Sequence, residues 1–417
     1  MTAAPSIGAE PAATQQLFHG MDGVRDVPVR HAWKKRLAYR CFDAVNRAVP
    51  KDPCLMALHS SVDVEDGLLA VGAEAAARGV RPVVLLEDPA RRRLVETLSA
   101  GRLRALPKRS SRGLWTFLRA KHVITTSNIY GNRRPPPSQI VVSLWHGEPP
   151  TKVTARFQGN GGLNGTYAPV CSTVGRAYRS AEFDIPPLRV PIIGAPRNDR
   201  MLQADAGQLR RALLGSDAHR TTLLWMPSYR VGRYASGLLR IDAGSRPGVP
   251  FSDEDLHRLD AWLDAQGARL VVKVHPRDAA DFGGDFRAIR MLLPRDLEAA
   301  GTTLYPALAA FDALITDMSS IWLDFLLLDR PMVFAFPDLQ EYRDGRGLNL
   351  EPYEQWVPGP FAVNMDETLA ALSDVVAGRD PMAGERRLTL RRFHRYSDDR
   401  SSQRLLDGLG VARTAVG

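Results

Sequence analysis

Asp312–Phe336 reads DALITDMSSIWLDFLLLDRPMVFAF, and its rhythm decides the fold. A short apolar run, Ala313–Ile315, ends in the polar turn Thr316–Ser320. An apolar stretch from Ile321 to Leu328 follows, long enough for two helical turns, and then a second apolar run, RPMVFAF. Short apolar runs bounded by turns read as buried strands, and strand–turn–helix–strand is the unit of a parallel sheet covered on both faces.

The same unit recurs on the amino-terminal side of this segment. TTLLWMPSY (221–229) and ARLVVKVHP (268–276) are apolar runs that end in turn residues. Between them lies FSDEDLHRLDAWLDAQG (251–267), a helical pattern with Ser252 as its N-cap. Nearer the amino terminus, CLMALHSSV (54–62), a helical pattern over 67–78 and RPVVLLED (81–88) form another β–α–β series. KHVITTS (121–127) and QIVVSLWHG (139–147) add two more strands. An α/β fold of GT-B type is expected, with two Rossmann-like domains facing a central cleft; one large sheet is the competing architecture. The expected division is a disordered lead-in over 1–28, an acceptor- or membrane-side domain over 29–195, and a donor-binding domain over 196–417.

The 417 residues suffice for two domains with their own cores. With 44% hydrophobic and 24% charged residues, the chain is globular rather than disordered or fibrous. A net charge of +9 and a pI near 9.7 point to an anionic partner: nucleic acid, an acidic membrane surface or a phosphate-rich substrate. The three cysteines form no CxxC pair, which argues against a zinc site and for a reducing compartment. No apolar run is long enough to span a bilayer, so membrane contact is expected to be peripheral. HAWKKRLAYRCFDAVNRAV (31–49) repeats Trp33, Leu37, Cys41 and Val45 at i+4, with Lys34, Lys35, Arg40 and Arg47 largely off that stripe. The plainer reading docks the stripe on the core; the other rests it on anionic lipid. The basic stretch 91–121, interleaved with Leu114, Trp115 and Phe117, is a second candidate for lipid contact.

Chemistry in open α/β sheets sits beyond the carboxyl ends of the strands. Three groups of residues fall there. His146, in SLWHG, follows a strand and carries a ring that titrates near neutral pH, although a lone histidine is more often structural. Lys273, His275 and Arg277 line a strand end, a set of cations suited to a phosphate or pyrophosphate, or else an ordinary basic terminus. Thr316, Asp317, Ser319 and Ser320 precede a helix, where hydroxyls and unpaired N–H groups suit an anion; Ser319 or Ser320 as a simple cap is the alternative. Arg197, in GAPRND, is available for an ion pair, and Ser228, Tyr229 and Arg230 end a strand near the cleft. No GxGxxG, P-loop, HExxH or GxSxG sequence is present, which removes support for Walker-type and serine-hydrolase chemistry.

Taken in order, WHGEP, GAPRND, PSYR, KVHP, TDMSSIWLD and PDLQEYRDGRG resemble the motif series of the CDP-glycerol glycerophosphotransferase family of teichoic acid and capsule synthesis, over about residues 141–404. The resemblance implies transfer of glycerol phosphate, or a related polyol phosphate, from CDP-glycerol or CDP-ribitol to an acceptor hydroxyl, with release of CMP. It implies no cofactor and no catalytic metal. His146 would be the general base and His275 would steady the diphosphate and the leaving group. Thr316, Ser319 and Ser320 would bind donor phosphates, Asp317 would contact nucleotide or polyol, and Arg230 would join Lys273 and Arg277 in the anion pocket. A lipid-linked glycan or polyol-phosphate acceptor, an anionic membrane surface and a cytoplasmic, peripheral location are the expected partners and place. Nucleic acid is not expected. The rival readings are a GT-B glycosyltransferase using a nucleotide sugar and a basic polyanion-binding protein.

Three departures stand out. WHGTPLKK of the family is WHGEPPTK here, so Glu148 replaces a hydroxyl and only Lys152 keeps the positive charge; Gly147, Glu148 and Lys152 are therefore the acceptor-side candidates. DDRSSQR (398–404) has Asp399 where the family has glycine. The chain before about Ile124 carries little resemblance and is assigned to acceptor or membrane binding.

Overall fold

The strand-like runs pair into two separate parallel sheets rather than one, in a computed structural model that describes residues 32–131, 133–148, 165–228, 231–234, 237–240, 249–274 and 285–413. The first sheet holds β1 (Asp52–His59), β2 (Arg81–Leu86), β3 (Arg104–Pro107), β4 (Ala120–Thr125) and β5 (Ile140–Ser143), in the order β3-β2-β1-β4-β5. After β6 (Thr222–Met226) comes an antiparallel pair, β7 (Val231–Tyr234) and β8 (Gly237–Arg240). The second sheet joins β6 to β9 (Arg269–Val272), β10 (Ile289–Met291), β11 (Ala313–Thr316), β12 (Met332–Ala335) and β13 (Phe361–Ala362), in the order β10-β9-β6-β11-β12-β13. Each sheet grows to one side of its first strand and then to the other. Its switch point, between β1 and β4 or between β6 and β11, is where such sheets open a ligand crevice.

Burial on both faces explains the continuous apolar runs: every position of β6, β11 and β12 is buried. Alternate residues of β6 serve opposite cores. Leu224 and Met226 pack with Leu314, Trp322 and Phe334, and Leu223 and Trp225 with Leu270, Ile315 and Val333.

Six helices bear on the site: α1 (Ala32–Ala48), α2 (Asp66–Ala77), α3 (Thr173–Phe183), α4 (Pro196–Leu202), α5 (Ile321–Phe325) and α6 (Ser401–Gly408). The docking stripe expected on α1 is corrected by the structure. Leu37 and Val45 are 54% and 49% exposed, and Cys41 is exposed too. Phe42 faces inward instead, 6.0 Å from Phe117 and 5.9 Å from Tyr130, and the buried Asn46 donates to Gln139 Oε1 at 3.0 Å. The Trp33 side chain lies outside the described residues.

The last helix among the described residues, α6, returns to the first sheet, where Leu405 and Leu406 join the core of Met56, Leu58 and Val142. Two of the motifs make that junction. The Asp199 carboxylate of GAPRND accepts the N–H groups of Ser401 at 2.9 Å and Ser402 at 2.7 Å, closing the amino end of α6. Gly194, at φ 89°, lies where a β-carbon would collide with Ser401.

Candidate active site

Adjacent strands β9, β6 and β11 deliver Lys273, Ser228 and the turn 317–320 to one edge of the second sheet. Asp317 holds that edge together. Its carboxylate accepts the Ser228 N–H at 2.8 Å and the Ser319 N–H at 3.0 Å, and its carbonyl accepts the Tyr353 hydroxyl at 3.0 Å. Tyr353 in turn takes the Trp322 indole N–H at 3.0 Å. The Thr316 hydroxyl donates to the Met226 carbonyl at 2.9 Å. Thr316 and Asp317 are thus wholly buried and shape the turn, where the resemblance had them meeting the donor.

Ser319 and Ser320 are half-buried at the surface of this turn. Ser320 occupies the N-cap position of α5, but its side chain makes no capping hydrogen bond. The helix is also shorter than expected: the α-helix ends at Phe325 and Leu326–Leu328 continue as a single 3₁₀ turn. So few aligned peptides make a weak dipole. The hydroxyls, local N–H groups and Lys273 are the groups at this edge that could meet an anion. Burial pulls the Lys273 pKa down, and its ammonium has no hydrogen-bond or ion-pair partner among the described residues. An anion beside it would supply the missing counter-charge.

His146 reaches the same place from the first sheet. Beyond β5 the chain reverses at Trp145, whose φ of 56° is left-handed. The Trp145 ring stacks on the His146 imidazole with centroids 4.3 Å apart and meets Phe183 edge-on at 4.8 Å. His146 Nδ1 lies 3.4 Å from the Thr126 carbonyl, just past β4. A β-carbon on Gly147 would stand 2.5 Å from Ser320 Oγ, so the two motif loops, one from each sheet, touch. Glu148 is buried, with Oε2 against Gly175 at the start of α3. Lys152, Arg230, His275 and Arg277 lie outside the described residues.

Beneath the two loops runs a buried ionic cluster that sequence reasoning saw only in part. Arg197 Nε lies 3.2 Å from both Asp324 oxygens and its Nη2 is 3.0 Å from Oδ1. Burial opposes the Arg197 charge, but Asp324, Tyr305 and Glu148 outweigh it and hold its pKa well above the ordinary value. Asp66 takes Arg200 Nε at 2.9 Å, the Tyr305 N–H at 3.1 Å and the Thr303 hydroxyl. Burial, then Asp66 next to it, pushes Glu65 up to about 7. Asp324 within an apolar helix and Arg197 in its motif were visible signals; the Asp66 partners were not. Among the described residues no three His, Cys, Asp or Glu side chains are grouped to hold a metal ion.

A family model described as CDP-glycerol:poly(glycerophosphate) glycerophosphotransferase matches residues 45–409. The teichoic acid ribitol-phosphate polymerase TarK of Staphylococcus aureus is 26% identical over 290 residues, 66% of this chain and 52% of that protein. The teichoic acid poly(glycerol phosphate) polymerase of Bacillus subtilis is 30% identical over 189 residues, 44% of this chain and 23% of that protein. The chain spans about half or less of the length of these relatives. A solved structure of the wall teichoic acid polymerase TagF superposes with a TM-score of 0.68 at 18% identity, covering 90% of this chain and 92% of that one. At that identity the likeness speaks for the fold, a GT-B-like pair of sheets.

Proposed function

The chain belongs to the CDP-glycerol:poly(glycerophosphate) glycerophosphotransferase family, and on that premise we propose that it moves a polyol phosphate, glycerol phosphate first, from a CDP-linked donor to an acceptor hydroxyl, releasing CMP. The observation that carries this reading is the contact of Gly147 with Ser320, which puts the His146 loop against the hydroxyl turn of the opposite sheet. His146 takes the proton of the attacking hydroxyl. Ser319, Ser320 and Lys273 hold the donor phosphates, with His275, Arg230 and Arg277 joining them from outside the described residues. Thr316 and Asp317 keep that turn in shape. Gly147, Glu148 and Lys152 lie on the acceptor side. Charge spreads over phosphoryl oxygens in such a transfer, so fixed cations and N–H groups lower the barrier without new covalent chemistry.

Purified protein incubated with CDP-glycerol, CDP-ribitol or a UDP-sugar, and a polyol-phosphate acceptor, should release CMP from a CDP-polyol. The rate should persist in EDTA, because Lys273 and the hydroxyl turn neutralise the donor. Turnover of UDP-sugar alone would replace this reading with glycosyl transfer, and loss in EDTA restored by a divalent ion would replace the charge-neutralising device.

The first-sheet unit is assigned to the acceptor and the second to the donor, with the acceptor lipid-linked and the site at the cytoplasmic face of an anionic membrane. No helix among the described residues is long and apolar enough to cross a bilayer. What supports surface binding is the exposure of Leu37 and Val45 on α1 and of Leu114 and Trp115 on helix Ser111–Arg119, two helices that meet through Phe42 and Phe117. Arg40, Arg47 and Arg112 are exposed on the same two helices. Each Lys or Arg near an anionic leaflet contributes about 1 kcal/mol. The protein should float with anionic vesicles, less in high salt, and much less once Lys34, Lys35, Arg36 and Arg40 become Glu. Equal flotation with neutral vesicles would sink the electrostatic account.

A further inference from the structure

Arg179 belongs to none of the motifs, yet it is among the largest fully buried side chains, 1% exposed in the middle of α3. Its Nη2 donates to the Gly147 carbonyl at 3.0 Å. Its guanidinium lies over the Phe183 ring, 5.4 Å from the centroid, and the same ring abuts Trp145. Nε and Nη1 have no hydrogen-bond partner among the described residues. Burying a guanidinium with two donor sites unmet is costly, and Met would fill a similar volume without that cost. The retained charge therefore calls for a role beyond packing.

Glu148 meets the same helix one turn earlier. Its Oε2 lies 2.8 Å from where a β-carbon on Gly175 would stand, so the glycine leaves room for the carboxylate at the first turn of α3. Burial works against the Arg179 charge, and Glu148 and Glu182 work for it. Two consecutive loop residues are thus gripped by one helix, Gly147 by Arg179 and Glu148 in the space over Gly175. Gly147 is also the residue that touches Ser320. Rotating its peptide would open that contact and swing the imidazole of the preceding residue.

We propose that Arg179 is a positioning residue for the transfer: by holding the Gly147 carbonyl it sets His146 against the Ser319–Ser320 turn, with Glu148 as counter-charge to the buried guanidinium. This rests on the functional reading above. The competing role is purely structural, with Arg179 present only to neutralise a buried Glu148.

R179M, R179K, E148T and the double variant R179M/E148T separate the two. Thermal midpoint, hydrogen exchange of peptides covering 144–148, and kcat and KM with CDP-glycerol are measured on each. R179M and E148T should each lower the midpoint, since each strands a buried charge, and the double variant should recover most of the loss. Exchange at 144–148 should be at least about tenfold faster in R179M and stay fast in the double variant, but remain near parental in R179K. Turnover should fall about tenfold or more in R179M and in the double variant, with KM within about twofold and most of kcat kept by R179K. A double variant with parental exchange and parental kcat would overturn the proposal. If the parental protein releases no CMP from either CDP-polyol, the functional reading fails, and exchange at 144–148 in the double variant still decides whether Arg179 positions the loop.

Discussion

Replacing His146 with alanine is expected to lower turnover with CDP-glycerol at least about a hundredfold, with KM for the donor little changed. A carbonyl only accepts, so the Thr126 oxygen 3.4 Å from Nδ1 favours the proton on that nitrogen and leaves Nε2 as the basic atom. The Trp145 ring stacked at 4.3 Å restricts rotation of the imidazole. Alanine removes the base and leaves the Ser319–Ser320 turn and Lys273 intact, which is why the loss should fall on kcat. Thermal unfolding checks that the variant is folded, and single-turnover CMP release reads the chemical step. A folded variant with parental turnover would take His146 out of the mechanism.

How far the sequence was legible follows from where each residue's surroundings come from. Strands such as LLWM and ALIT could be read because burial on both faces forces an unbroken apolar run. β3, β10 and β13 could not: RALP and IRM break the apolar run with arginine or proline, and β13 is only two residues long. On α1 the repeat of Leu37 and Val45 suggested the buried face, but the helix is turned to set the half-buried Phe42 against Phe117 and Tyr130, where an aromatic ring removes more apolar area from water. At the site, sequence placed Asp317 at a strand end without saying which way it faced. Its bonds to Ser228 depend on the register that sets Thr316 beside Met226, a property of two strands ninety residues apart. The Gly147–Ser320 contact is further out of reach, because it joins two sheets. Arg179 gave no signal, lying in a mixed helix where an arginine reads as surface.

Breaking the buried pair Arg197–Asp324 should cost more stability than any other single substitution considered. Arg197 is 5% exposed and Asp324 1%. The pair ties α4, which follows the first-sheet half, to α5, which begins at the hydroxyl turn. The Tyr305 hydroxyl adds a bond to Asp324 Oδ2 at 3.2 Å, and its ring lies under the guanidinium at 5.5 Å. Removing one partner strands a desolvated charge, at a cost of about 3–5 kcal/mol, whereas replacing both with apolar side chains of similar volume is close to neutral. Asp324→Ala should therefore lower the thermal midpoint by several degrees, and Arg197→Met should do the same. The double variant Arg197→Met with Asp324→Leu should recover most of that loss. Recovered stability need not bring recovered turnover, because the apolar pair packs without the directional hydrogen bonds that set α5 relative to α4. A stable double variant with low kcat would assign the ion pair to orientation of the hydroxyl turn. A double variant less stable than either single one would show that the pair is a net source of stability, reversing the sign argued from its burial.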